Sequence, residues 1–439
     1  MQAPSAARDH VSLEVSLGIS HTDDGLVSTI QKRMEEASSL VNICSVPEQL
    51  RWGNERHYSP ELVSIGPYHR RNQTLGDMEN HKLRYLFTLL NRNPDIGLTL
   101  DKCVKSLKEL ENRARRSYEE DFGLSSDEFV EMMLIDGCFI IELLIKCSSK
   151  TLRRRNDPLF CTPGKLYTLR CDLVLLENQI PLFILQRLFQ IVPIPKQCSH
   201  SLIDLAFRFF KSMIPGEQEY LREKLSEEAH HLLDLIHHWL IPANYTKKDA
   251  PTPKGLNKSV VELQAAGIKF KRSVTKSMLD IEFSKGVLHV PAVRINQSTE
   301  TLLRNLIALE QHRCIDTQCV TSYAHLIHDL MPSEKDEKLF SERRMVSNYP
   351  DSNKRALRLF EDLCKDTKIE DFHYEELGVQ MNEYIKRRKC SPLKCDQKTD
   401  PSDQLARKPR ALVVVAIIVL FMIFIGTLFS ALSFFLHHN

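Results

Sequence analysis

Two carboxylates sit deep inside a run that is apolar nearly all round. Asp136 and Glu142 fall within FVEMMLIDGCFIIELLIKC, residues 129–147. A buried carboxyl can be raised in pKa and act as a general acid or base, and a pair can supply both roles. The competing reading is a satisfied polar network, since an unpaired buried charge costs several kcal/mol. The network is preferred, with Arg84, Arg113 or Arg115 expected beside the carboxylates. Glu177, Asn178 and Gln179 form a second polar group between apolar neighbours. A third candidate is Ser64-Ile65-Gly66-Pro67-Tyr68-His69, which places a hydroxyl, a phenol and an imidazole close together. Gly66-Pro67 is also strong turn chemistry, in which Tyr68 and His69 simply pack or cap.

Metal ligation is tested next. His231, Asp234 and His238 share one helical face beside His230 and His237, but the HExxH spacing is absent. His312, Cys314, Cys319 and His325 match no closed zinc module. There is no GxSxG elbow, no GxxxxGK[ST] loop and no GxGxxG after a strand. We therefore expect no metal, no cofactor and no catalytic residue. Lys+Arg 59 against Asp+Glu 57 gives a net charge of +2, so no basic field recruits nucleic acid. The clusters at 113–116 and 153–155 are short.

The elements that must position these residues read mostly as helix. Residues 78–90 carry Leu83, Leu86, Leu89 and Leu90 at helical spacing. Residues 107–118 are amphipathic, with Glu111 and Arg115 four apart. Ser125 and Glu128 form a capping box that starts the apolar helix, which its all-round hydrophobicity marks as the central buried one. A second buried helix is expected over 172–190, broken or kinked at Pro181. Residues 221–240 and 302–309 continue the pattern. Segments 268–273, 278–283 and 287–293 alternate as strands, with Ser284-Lys285-Gly286 as a turn. The fold class is mainly α: a helical domain with a small antiparallel β-hairpin or meander, plus one C-terminal transmembrane helix.

That last helix is the strongest physical signal. Residues 411–436, ALVVVAIIVLFMIFIGTLFSALSFFL, contain no charge and exceed the ~20 residues a bilayer core requires. Upstream lie Lys386, Arg387, Arg388, Lys389, Lys394, Lys398, Arg407, Lys408 and Arg410; downstream lies only His437-His438-Asn439. Flanking charge therefore favours a single-pass, C-terminally anchored membrane protein whose bulk faces the cytosol, at the plasma membrane or an endomembrane. The 439 residues, with 42% hydrophobic and 26% charged, exclude a disordered or multi-span chain. The organisation expected is a polar, short-helical segment (1–40, with an amphipathic helix over 24–40), a helical domain (41–385), a basic linker suited to anionic lipid (386–410), the span (411–436) and a tail (437–439). Twelve cysteines show no disulfide framework, and Cys138 and Cys147 read as small core residues. Cys390 and Cys395 in the linker could be acylated. Sequons at Asn72, Asn244, Asn257 and Asn296 do not decide the topology.

Several long motifs follow one another in order. They are VPEQLRWGNERHYSPELVSIGPYH (46–69), MENHKLRYL (78–86), ELENRARRSYEE (109–120), SDEFVEMMLIDGCFIIELL (126–144), DLVLLENQIPLFIL (172–185) and STETLLRNLIALEQ (298–311). With the terminal apolar run they closely resemble the plant family called domain of unknown function 247. The resemblance implies a plant protein with a C-terminal membrane helix and offers no established activity, cofactor or site residue to carry over. Some grass members resemble pollen-side self-incompatibility determinants that recognise small secreted proteins, a role that would place the domain outside the cell, against the charge argument. Arg70-Arg71 stand where His-Gly is common in the family, and His312 stands where Cys is frequent.

The function expected is a non-enzymatic, membrane-anchored recognition protein in cell signalling or self-incompatibility, with a protein partner, no nucleic acid and no identified small-molecule substrate. The alternatives are a hydrolase-type enzyme using Asp136 and Glu142 or the Ser64–His69 segment, and a structural membrane adaptor.

Overall fold

The structure is a computed structural model. It describes residues 42–389, apart from 93–94, 215, 217, 224–228, 243–257, 274–276, 313–316 and 349–355. Helices of eight residues or more are numbered in chain order. They are α1 (Asp77–Leu90), α2 (Ile96–Arg116), α3 (Ser126–Ser148), α4 (Lys165–Asp172), α5 (Leu182–Ile191), α6 (Leu202–Phe210), α7 (Leu232–Leu240), α8 (Gln297–Gln311), α9 (Cys319–Leu330), α10 (Glu334–Glu342), α11 (Ala356–Cys364) and α12 (Glu375–Lys389).

The central helix is α3. Ser125 accepts the Glu128 amide while Glu128 accepts the Ser125 amide and hydroxyl, so both ends of the capping box are closed. From Phe129 to Lys146 nearly every side chain is buried, Ile140 completely so. Each such aliphatic side chain contributes about 1.5–3 kcal/mol. Around α3 pack α1, α2, α5 and α6. A second layer forms on α8, which meets α4, α7, α9 and α11.

Two small sheets complete the body up to Met381. Strands β1 (Lys269–Ser273), β2 (Glu282–Ser284) and β3 (Val287–Pro291) lie in the order β1-β3-β2. The β2–β3 hairpin is as expected. Lys285 and Gly286 make its two-residue turn with φ of 50° and 80°, the left-handed pair that matches strand twist. The meander is not. β1 pairs parallel to β3, Lys269 opposite Val287, and residues 278–281 precede β2 without joining it as strand. The sheet is thus mixed, with β3 parallel to β1 on one edge and antiparallel to β2 on the other. A second, parallel pair, β4 (Val293–Ile295) with β5 (Val346–Asn348), had no signal in the sequence reading.

Three further differences concern helices. Of the helix expected over 172–190 only α5, after Pro181, is formed: Asp172 ends α4, and residues 173–181 are a buried irregular stretch. Among its described residues, the stretch 221–240 holds the end of a short helix (Gln218–Glu223) and then α7. The basic stretch expected to begin a linker at 386 opens as the last turn of α12. Among the described residues no helix is long and apolar enough to cross a membrane. The amphipathic helix expected at 24–40 and the membrane span expected at 411–436, with Cys390 and Cys395, lie outside the described residues.

Candidate functional site

The Ser64–His69 segment is a turn enclosed by protein. Gly66 has φ of +73°, and a Cβ there would lie 2.4 Å from the Gln179 carbonyl oxygen. Only glycine fits both the left-handed conformation and that approach. The Gly66 N–H donates to Asp136 Oδ2 at 2.9 Å, and the Ile65 N–H to Asn178 Oδ1 at 2.7 Å. The Ser64 carbonyl accepts from Lys82 Nζ. Tyr68 lies edge-on to Phe122 at 4.8 Å, and burial holds its phenol well above the usual tyrosine range. His69 faces Glu177, with Nε2 3.7 Å from Oε2, and burial lowers its pKa despite that carboxylate. Arg51 and the Val46 N–H share the other Glu177 oxygen. The Ser64 carbonyl, the Tyr68 ring and the His69 ring thus have three different sets of partners. The two arginines that follow, Arg70 and Arg71, are exposed.

Asp136 and Glu142 are both paired, but not by the arginines expected. Asp136 accepts Lys82 Nζ at 2.7 Å, and Glu79 approaches the same ammonium at 2.7 Å. Burial pulls the Lys82 ammonium down, but the two carboxylates more than reverse it and hold the lysine charged. Asp136 accepts on both oxygens, from Lys82 and from Gly66, which suits the ionised form. Glu142 receives Arg92 at 2.8 and 2.6 Å, with Lys146 at 3.8 Å. Lys146 also bonds Asp157 at 2.9 Å and lies over the Tyr85 ring at 3.6 Å, while the Tyr85 hydroxyl donates to Asp157. Arg113 instead stacks on Phe183, Arg115 pairs with Glu111 across one turn as its spacing predicted, and Arg84 is exposed.

Lys82, Arg92, Lys146 and Asp157 were missed by the sequence reading, though two of them left a signal. Lys82 stands on the stripe Met78, Lys82, Tyr85, Leu89, all buried, so its position in α1 already faced the core. Lys146 follows Glu142 by one turn in the all-apolar helix.

The residues Glu177, Asn178 and Gln179 explain why the chain is not helical over 173–181. The Asn178 amide nitrogen donates to the Asp172 and Val63 carbonyls, and that of Gln179 to the Leu173 and Leu175 carbonyls. Side chains thereby occupy acceptors that a continuing helix would have used. Pro181 then precedes α5, where it lacks no needed donor. Asp172 closes the opposite side by accepting the Glu61, Leu62 and Val63 amides at 3.0, 2.8 and 2.8 Å. Burial raises its carboxyl to about 6 even against those three donors. The arrangement knits two irregular segments, 61–69 and 172–181, to one another and to α3.

The histidine cluster divides among separate tasks. His231 caps α7, its Nδ1 accepting the Asp234 amide and its Nε2 facing the Asn42 carbonyl at 3.0 Å. Both ring nitrogens are thus in use, and burial lowers its pKa to about 4. Burial would raise the Asp234 carboxyl, but the His238 hydrogen bond and the His231 and His238 rings keep it well below its usual range. Asp234, His237 and His238 bring donor atoms within 4.8 Å of one another. His237 Nε2, however, bonds Glu310 at 2.7 Å, and the Asp234 oxygens take the His230 amide and His238. Glu310 also accepts the Val320 and Thr321 amides at the start of α9. In the second cluster His312 faces Glu119 at 3.6 Å, His325 bonds Thr367 at 2.8 Å and Cys319 is buried. Cys314 lies outside the described residues. Of the sequons, Asn72 and Asn296 cap helical turns and the other two lie outside the described residues.

Comparison with known proteins adds an independent line. A family model described as DUF247, plant protein of unknown function, matches residues 43–422. The UPF0481 protein At3g47200 of Arabidopsis thaliana is 30% identical over 371 residues, covering 79% of this chain and 77% of that protein. The putative UPF0481 protein At3g02645 of the same plant is 21% identical over 424 residues, covering 75% and 79%. No solved structure gives a significant match.

Proposed function

This chain belongs to the DUF247 family of plant proteins, and from that premise we propose that it is a non-enzymatic recognition protein held to a membrane by residues 411–436. The observation that supports a non-enzymatic body is the use made of its carboxylates. Asp136 holds the Gly66 amide and Lys82, and Glu142 holds Arg92. Asp136 thus fixes backbone and balances a buried cation, Glu142 balances Arg92, and the Ser64 carbonyl, the Tyr68 ring and the His69 ring have separate partners. The anchor reading is supported by the uncharged length of 411–436 and the basic flank before it. Near-neutral net charge suits a protein partner, in signalling or in self-recognition, better than a polyanion.

The test is chemical cross-linking of the full-length chain in native membranes, followed by identification of what it captures. A selective protein partner, retained by His69→Ala, is the expected result. Turnover of a substrate by the purified chain, lost in Asp136→Asn or His69→Ala while thermal unfolding is unchanged, would replace this reading by the hydrolase one.

A further inference from the structure

The chain has two tryptophans, and they are placed in opposite ways. Trp239 is fully buried, whereas Trp52 is 85% exposed, the most exposed large apolar side chain among the described residues. Trp52 ends the helical turn Glu48–Arg51 and is followed by Gly53 at φ +74°, which turns the chain back so that Asn54 donates to the Trp52 carbonyl. The indole therefore stands at a formed corner, and beside it opens a pocket of about 260 Å³.

The other walls set polar groups among Leu50, Tyr58, Ile307 and Leu363. Arg304 of α8 reaches the pocket from the core with only 3% of its side chain exposed. Its Nε and Nη2 lie 3.0 Å from Glu300, yet Nη2 has no acceptor at hydrogen-bonding geometry. Asp362 of α11 comes within 3.8 Å of the same nitrogen, and Lys365 and Asp366 follow at the end of that helix. Asp366 adopts φ of 60°, so the chain bends sharply at the rim.

The charge pattern selects the ligand. Arg304, already paired with Glu300, and Lys365 stand against Asp362 and Asp366, so both signs of charge meet in the pocket. An anionic ligand meets two aspartates, a cationic ligand meets an arginine and a lysine, and an apolar ligand strips water from all four without replacing its hydrogen bonds. A ligand whose groups each donate and accept satisfies both signs at once, and hydroxyl groups do this. The flat indole adds an apolar surface for the C–H face of a ring. The volume falls below the roughly 300–1,000 Å³ of sites for drug-sized molecules, which suits one ring. We propose that the Trp52–Arg304 pocket binds a neutral sugar ring, its hydroxyls shared between Arg304, Asn54 and the two aspartates and its C–H face against Trp52. This inference goes beyond the protein-recognition reading and fails separately from it, because it is read by a sugar titration and not by capture of a partner.

Acrylamide quenching of tryptophan fluorescence isolates Trp52, since Trp239 is enclosed. The full-length chain, in a detergent without a sugar headgroup, is titrated with neutral hexoses and pentoses, and with galacturonate and glucosamine as charged controls. The expected result is saturable protection of Trp52 by at least one neutral sugar. Calorimetry should show that affinity falling about tenfold or more in Asp366→Asn and in Trp52→Ala, with thermal unfolding unchanged. Protection by neither class, protection by a charged sugar alone, or affinity unaltered in both variants would each overturn the proposal.

Discussion

Asp136 and Gly66, joined by a hydrogen bond of 2.9 Å, are the point where the central helix takes hold of the Ser64–His69 turn. The same carboxylate carries Lys82, which in turn holds the Ser64 carbonyl. One buried acid thus fixes an irregular segment from both its N–H and its C=O side.

Lys82→Met removes the cation and leaves Asp136 buried without it. The expected loss is about 3–5 kcal/mol, read as a lower denaturant midpoint. Adding Asp136→Leu to that variant should recover part of the loss, since no uncompensated charge remains. Equal loss in the single and double variants would show that the ion pair is not what the helix supplies to the turn.

Gly66→Ala forces a Cβ to within 2.4 Å of the Gln179 carbonyl at a left-handed φ. Neither atom belongs to a flexible side chain. We expect destabilisation of about 2 kcal/mol or more, with strain and overpacking both contributing. Gly53→Ala, where φ is +74° but nothing lies within 4 Å, should cost less. A reversed order would mean that the 173–181 stretch readily moves aside.

These two residues also show how far the sequence could be read. The central helix was legible because its capping box and unbroken apolar run are local signals. The Lys285-Gly286 hairpin was legible because its turn needs left-handed residues. The stretch after Asp172 was not, because its apolar pattern suits a helix and what prevents one is distant or side-chain bonding: Asn178 and Gln179 to local carbonyls, and the Leu176 amide to Asn305. The parallel sense of β1 depends on the direction in which the chain returns to β3, which no residue spacing encodes. In the site, Asp136 and Glu142 were found as buried acids, but their partners are Lys82 of α1 and Arg92, two residues beyond it, with Lys146 on α3 itself. Pairing across helices is set by packing, so Arg84, Arg113 and Arg115 were the wrong partners to expect.

His231 gives a pH dependence with a definite sign. Its folded pKa of about 4 lies below the usual histidine value, so between those pH values the unfolded chain binds more protons. The stability it supplies is complete above about pH 6.5 and is lost as pH falls through 4, up to about 3 kcal/mol. Asp172, raised to about 6, acts in the opposite sense over much the same range, its contribution being lost as pH rises through 6. The clean measurement is therefore a difference: wild type minus His231→Asn, by denaturant unfolding from pH 7 to 4. The difference should shrink on acidification. A difference independent of pH would mean that His231 is not held neutral.

Ser125→Ala opens the capping box at the start of α3. The expected cost is about 1 kcal/mol, seen as a modest fall in Tm with fold retained. No change would show that the start of the central helix is held by packing alone.

The most direct measurement of the central claim is alkaline carbonate extraction of membranes carrying the full-length chain. Retention in the membrane pellet is expected, with release into the supernatant when Leu420→Arg and Phe424→Arg are placed together in the run 411–436. Release of the unaltered chain by carbonate would contradict the anchored reading.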